Sequence, residues 1–333
     1  MKIIVEANIP YFKGLLDEAA EISYLPAAEI TRDALRDADA LVTRTRTRCD
    51  SSLLAASRCS IVASATIGLD HVDIPWCEAN GIEVCNAPGC NAPAVAQYVF
   101  ASLLTLRNDL RGTTLGVVGV GHVGSIIADW GTQLGMKVLL NDPPRAAAEG
   151  GEGFVSLDTI AAEADFITFH TPLTKVGEFP TFHLCDSAFV SSLRRKPVII
   201  NSARGPVTDT AALLAGFSSG KIGALVMDCW EDEPMIDREL LGAAVIATPH
   251  IAGYSMQGKM RASQMAAEAI ARHFNLTMPH KPPMPYLPSS VTADEIKASY
   301  NPACDTARLK SAPEEFERLR NTYDLRNEVG FSQ

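Results

Sequence analysis

Arg204, Glu233 and His250 each stand just beyond a short apolar run. Pro197–Ile200 leads into Asn201-Ser202-Ala203-Arg204-Gly205, Leu225–Met227 into Asp228-Cys229-Trp230-Glu231-Asp232-Glu233-Pro234, and Val245–Ala247 into Pro249-His250. Such runs read as buried strands of a parallel sheet, so the three loops open at the same end of it. A guanidinium grips a carboxylate through two parallel hydrogen bonds. An imidazole takes and returns a proton near neutral pH, and a carboxylate beside it fixes its tautomer. Together these groups suit redox chemistry at a hydroxyl adjacent to a carboxylate. Each has an ordinary structural reading when taken alone, and on composition Glu231 and Asp232 rival Glu233. The three loops in this order carry the reading.

A second motif lies upstream. Gly119-Val120-Gly121-His122-Val123-Gly124 follows the apolar run Leu115–Val118 and opens a helix. In that setting the first glycine makes a tight turn and the second lets a pyrophosphate approach the backbone. The third allows close helix–strand packing, and the helix start offers amide dipoles. The next apolar run, Lys137–Asn141, ends at Asp142, whose carboxylate suits the adenine-ribose hydroxyls and repels a 2′-phosphate. The expected cofactor is therefore NAD rather than NADP, with Arg145 as the competing feature.

These loops need a scaffold that alternates strand and helix. The early runs Lys2–Val5, Ala40–Thr43, Ile61–Ser64 and Glu83–Cys85 read as strands. A helix is predicted from Pro93 to Leu106, capped by Asn91. The pattern then restarts with Leu115–Val118, Lys137–Asn141, Asp165–Phe169, Pro197–Ile200, Leu225–Met227 and Val245–Ala247. A helix over 256–273 returns the chain to the first domain. The predicted fold class is α/β, with two doubly wound parallel-sheet domains. Residues 1–94 with 256–280 form a flavodoxin-like substrate domain, and 95–255 a Rossmann NAD-binding domain. The crossings near Asn91–Pro93 and Gly253–Met256 are the expected hinges. Residues 281–333 are the rest of a proline-rich linker that starts at Pro279, followed by a short C-terminal appendage with a charged helix over 313–326. Its few apolar positions predict that it packs on a partner or stays partly disordered.

The bulk numbers narrow the partners. Across 333 residues the formal charge is −10 with no basic block, which argues against nucleic acid. No apolar run reaches membrane-spanning length and the N-terminus starts directly as a strand, so no membrane is expected. The eight cysteines lack any Cys-x-x-Cys pair. Neither a disulfide framework nor a metal site is expected, and reduced thiols fit a cytoplasmic location.

Gly119–Gly124, Asn201–Gly205, Asp228–Pro234 and Pro249–Gly253 resemble the signatures of the NAD-dependent D-2-hydroxyacid dehydrogenases over roughly residues 1–280. The resemblance implies Arg204, Glu233 and His250 as catalytic residues. It further implies that Asp142, Thr171, Ser202, Ala203, Asp228 and Gly253 contact NAD, and that Thr45, Thr66 and Tyr254 contact substrate. The segments Ala87–Ala92, Asn141–Arg145, Phe169–Leu173 and His250–Tyr254 are similar to a narrower group within the family, whose substrate is a small phosphorylated hydroxy acid. Thr45 stands where that group has serine, so the hydroxyl is kept. A homodimer is also implied, with 313–323 similar to the end of the group's dimerisation region.

The run Thr43-Arg44-Thr45-Arg46-Thr47-Arg48 would, as a strand, set its arginines on one side. Arg44 and Arg46 are then candidates for the substrate phosphate, whereas Arg48 reads as a solvated charge. Two other readings remain at this stage: a dehydrogenase for glycerate, 3-phosphoglycerate or a simple 2-oxo acid, and an NAD-sensing corepressor on the same fold.

Overall fold

The computed structural model describes residues 1–278, 281–286 and 288–331; Pro279 and residues 280, 287, 332 and 333 of the predicted linker and tail lie outside it. The chain divides into two compact units, Met1–Asn91 with Met256–Leu287, and Ala92–Ser255 with Pro288–Gln333.

The first unit is built on a five-stranded parallel sheet: β1 (Lys2–Glu6), β2 (Glu21–Leu25), β3 (Ala40–Thr43), β4 (Ile61–Ser64) and β5 (Glu83–Cys85), in the order β2-β1-β3-β4-β5. That is the flavodoxin-like order. β3 and β4 are buried at every position, as expected for parallel strands covered on both faces. β2 was not foreseen, because Glu-Ile-Ser-Tyr-Leu is a half-exposed edge without a clear apolar run. The helix Met256–Phe274 packs Ala266, Ala267 and Ile270 into this core. The Thr/Arg run is not a strand. β3 stops at Thr43 and residues 44–48 turn away, so the predicted two-residue alternation does not hold there.

The second unit carries a six-stranded parallel sheet: β6 (Thr114–Val118), β7 (Lys137–Asn141), β8 (Phe166–Phe169), β9 (Val198–Asn201), β10 (Ala224–Met227) and β11 (Ile246–Ala247), in the order β11-β10-β9-β8-β6-β7. A single parallel bridge from Leu140 to Phe154 extends the β7 edge. Counting that bridge as a vestigial third strand gives the Rossmann order. The helix Ala92–Leu106 is buried along most of its length, with Tyr98, Val99, Phe100 and Leu103 in the core.

The C-terminal segment departs from expectation. Instead of a loose appendage it forms helices Ala293–Ser299, Pro302–Ser311 and Phe316–Asn321, the last shorter than the predicted 313–326. Ile296, Leu309 and Phe316 are 0% exposed within the cores of the second unit. Each short helix adds only one or two apolar anchors, which look sparse in sequence but meet a core that already exists. Arg326 is buried as well. It donates to the carbonyls of Ala94, Ile251, Ala252 and Tyr254 and to Gln97 Oε1, and lies 4.3 Å from the Tyr300 ring centroid.

Candidate active site

The second unit brings the catalytic candidates together at the carboxyl ends of β9, β10 and β11. Asn201 closes β9 and shapes the following loop: its Nδ2 donates to Arg204 O and Thr208 Oγ1, while its Oδ1 accepts from Ala203 N. Beyond Arg204, a Cβ on Gly205 would lie 1.8 Å from Trp230 O. Only glycine lets the arginine loop pack against the loop that carries Glu233.

Glu233 Oε1 accepts from Trp230 N at 2.8 Å, and Oε2 is 2.8 Å from His250 Nδ1. Burial acts to raise the Glu233 carboxyl, but His250, the Trp230 amide and Arg320 outweigh it and hold the carboxyl below its ordinary value. Glu233 is therefore a carboxylate, which requires Nδ1 to donate and leaves the lone pair on Nε2. No hydrogen bond to Nε2 occurs among the described residues.

His250 occupies a left-handed conformation, φ 58°. The loop after it is held from two sides. Asp228, 1% exposed, accepts from Ile251 N, Ala252 N and Thr248 Oγ1, and Arg326 takes the carbonyls of 251, 252 and 254. Asp228, a predicted NAD contact, thus has its carboxylate bonded inside the protein. Burial raises its carboxyl, against the pull of nearby His250 and these donors.

The rival acids lie elsewhere. Glu231 Oε1 is 2.7 Å from His183 Nε2 and Oε2 accepts from Thr210 N, while Asp232 is exposed. Cys229 joins Glu233 and His250 in a group whose candidate ligand atoms all lie within 4.8 Å of one another. Burial pushes its thiol far up, so it offers no thiolate to a metal.

The cofactor candidates all lie on the second unit. A Cβ on Gly124 would lie 2.0 Å from Gly119 O, which fixes that glycine by close approach. Gly121 caps the helix His122–Gln133; His122 is exposed at its start and Val123 packs partly on the core. Asp142 Oδ2 accepts from Val120 N, tying the end of β7 to the glycine loop, and Oδ1 caps the next helix at Arg145 N. Arg145 faces Glu149 and Val120 O, so the cation that competes for a 2′-phosphate is already neutralised. Thr171 Oγ1 and Ser202 Oγ are buried without a partner. Ala203 is buried between Ser202 and Arg204, and Gly253 is partly exposed. Two orphaned hydroxyls, one of them on Thr171 against Gly119, fit a ligand rich in acceptors and donors, as NAD is.

The substrate candidates divide. In the first unit, Thr45 and Arg46 are exposed in the turn after β3, and Thr66 Oγ1 is 2.7 Å from Ser64 Oγ. Arg44 Nε donates to Glu6 Oε1 at 2.7 Å, and the Glu6 side chain is 0% exposed. This ion pair anchors the turn through Nε, while the Arg44 side chain stays 27% exposed and Arg44 remains a proposed phosphate contact. Arg48 pairs with Asp50 in solvent. In the second unit, Tyr254 meets Tyr323 edge-on at 6.2 Å between centroids.

The profile described as D-isomer specific 2-hydroxyacid dehydrogenase, NAD binding domain, matches residues 96–252. A protein of Bacteroides thetaiotaomicron named erythronate-4-phosphate dehydrogenase is 48% identical, the alignment covering 98% of this chain and 97% of that protein. A protein of the same name from Yersinia pestis is 39% identical over 98% of this chain and 93% of its own length. The chain belongs to the erythronate-4-phosphate dehydrogenase group of the D-2-hydroxyacid dehydrogenase family. Among solved structures, Aquifex aeolicus D-lactate dehydrogenase complexed with NAD and lactic acid superposes with a TM-score of 0.68 at 26% identity, covering 83% of this chain and 96% of that one. The chain is thus an NAD-dependent oxidoreductase, and no helix among the described residues is long and apolar enough to cross a membrane.

Sequence reasoning missed Arg320 and Arg326. Both lie in a segment whose charges look like a solvated face, and nothing in the local pattern separates a buried arginine from an exposed one.

Proposed function

We propose that the enzyme oxidises the C2 hydroxyl of 4-phospho-D-erythronate to 2-oxo-3-hydroxy-4-phosphobutanoate. The name carried by relatives matched over 97% and 93% of their length supports the substrate. The observation that carries the chemistry is the 2.8 Å contact between His250 Nδ1 and an ionised Glu233, which leaves Nε2 as base.

Arg204 binds the substrate carboxylate as a planar fork, placing the C2 hydroxyl toward His250. Nε2 takes the hydroxyl proton, and Glu233 stabilises the imidazolium that results. Gly119, Gly121 and Gly124, with Asp142, Thr171 and Ser202, would hold NAD, which when bound accepts the hydride from C2. His122, Val123, Ala203 and Gly253 are proposed as further contacts of the same cofactor, and Asp228 keeps the loop beyond His250 in shape. Thr45, Thr66, Arg44, Arg46 and Tyr254 are proposed for the remaining substrate groups, including the phosphate. A homodimer and a cytoplasmic setting belong to the same proposal, and sedimentation velocity giving the mass of two chains checks the first.

The test is NADH formation with 4-phospho-D-erythronate against unphosphorylated D-erythronate, with a 2-oxo acid present to reoxidise tightly held NADH. A strong preference for the phosphorylated acid is expected. Equal rates, or a preference for glycerate or 3-phosphoglycerate in the same panel, overturn the substrate while leaving the dehydrogenase chemistry in place.

A further inference from the structure

Arg320 lies on the helix Phe316–Asn321, which Phe316, 0% exposed, anchors in the core of the second unit. Its Nη1 is 3.9 Å from Glu233 Oε2, the same oxygen that receives His250 Nδ1 at 2.8 Å. The Arg320 side chain is 19% exposed, and its Nε is buried with no hydrogen-bond partner. The guanidinium also faces Tyr254, through a side-chain hydrogen bond, and Glu317. The segment that looked like an appendage therefore delivers a second cation to the catalytic pair.

We propose that Arg320 is a positioning residue for hydride transfer, acting on the substrate through Glu233 and His250. The inference rests on the dehydrogenase reading given above. A cation near one carboxylate oxygen favours its ionised form. It also draws part of the carboxylate's field away from the imidazole, so Glu233 orients His250 without holding the imidazolium so strongly that the proton is slow to leave. Arg204 has a different task, since it binds the substrate directly. Glu233 is faced by His250 from the loop after β11, by Cys229 from its own loop and by Arg320 from the tail. Among these only Arg320 and His250 can bring positive charge.

Arg320→Gln removes the charge and keeps much of the volume. With whichever hydroxy acid the wild-type enzyme turns over best, kcat is expected to fall about tenfold, as for one partly screened charge at this range. KM and the Kd for NAD are expected to stay within about twofold. The acid limb of the kcat profile is expected to move to higher pH, because Glu233 loses a group that keeps it ionised. Arg320→Lys is expected to recover most of the rate and the original limb.

Unchanged kcat and an unmoved limb overturn the proposal. So does an equal loss at every pH that lysine fails to rescue, which marks a purely structural contact. If the preferred acid proves unphosphorylated while Arg320→Gln still shows this signature, the substrate reading falls and the role of Arg320 stands.

Discussion

Two histidine–carboxylate pairs, one in each unit, share almost the same contact. His250 Nδ1 is 2.8 Å from Glu233, and His273 Nδ1 is 2.6 Å from Glu83. The second pair even continues to Ser60, whose Oγ is 2.8 Å from His273 Nε2, so its hydrogen bonds reproduce those of a hydrolytic triad. What separates the two is strand direction. His250 and Glu233 follow the carboxyl ends of β11 and β10, where parallel sheets bind ligands. Ser60 and Glu83 lie at the amino ends of β4 and β5, and the Ser60 amide donates to Asp39 O, so it cannot cradle an oxyanion. His273 sits in the last turn of the helix Met256–Phe274. An imidazole–carboxylate contact alone does not mark a catalyst. Its direction along the sheet and what the other ring nitrogen faces decide the matter.

The largest test of this contrast is His250→Asn. It is expected to lower kcat by about 10³- to 10⁴-fold, as loss of a general base does, with NAD affinity nearly intact. Steady-state kinetics with a cofactor-binding titration check it; retained turnover breaks the assignment. Next is Arg326→Met. It leaves carbonyls of residues 94, 251, 252 and 254 without their donor, and is expected to cost about 3–5 kcal/mol, as loss of one partner from a buried charged network does. Urea unfolding checks the loss of stability. A variant as stable as the wild type would show that the loop after His250 does not depend on the tail.

Glu233→Gln should have a smaller effect, about 10²-fold on kcat, because the amide can still accept from His250 but carries no charge. Its pH behaviour sharpens the comparison. The folded carboxyl titrates below its ordinary 4.5, so the stability it gives is present above that value and drains away as pH falls through the lower folded value. The glutamine variant should lose that acid dependence. Equal acid sensitivity in wild type and variant would point to another carboxylate.

Most of the sheets, and the placing of Arg204, Glu233 and His250 beyond the carboxyl ends of neighbouring strands, were legible because they rest on strong local signals. Strands such as Ile-Val-Ala-Ser and Ala-Leu-Val-Met are continuous apolar runs, and each ends in a loop with chemistry-bearing residues. The edge strand Glu21–Leu25 was not legible because half-exposed edges lack that run. The Thr/Arg alternation imitated a strand, but β3 stops when Thr43 and Arg44 turn toward the buried Glu6, a long-range pair that no window of neighbours displays. Arg320 and Arg326 were hidden for the same reason: Glu233 lies 87 residues before Arg320, and the carbonyls of Ile251 and Ala94 lie 75 and 232 residues before Arg326.

The smallest effect belongs to the second pair. His273→Ala removes a contact between partly exposed groups, with side-chain exposures of 22% for His273 and 43% for Glu83, so solvent screening limits the loss to about 0.5–1 kcal/mol. The histidine is the leading cause that lowers the Glu83 carboxyl. Its contribution is therefore present above the ordinary carboxylate range and lost on acidification, and the variant should differ from wild type at neutral pH more than at acidic pH. Turnover of the hydroxy acid should be unchanged. The opposing possibility has its own assay: hydrolysis of p-nitrophenyl acetate by the purified enzyme, compared with Ser60→Ala. Ester cleavage that disappears in that variant would make the first unit's pair a working nucleophile system, and the direction of the strands would no longer separate the two.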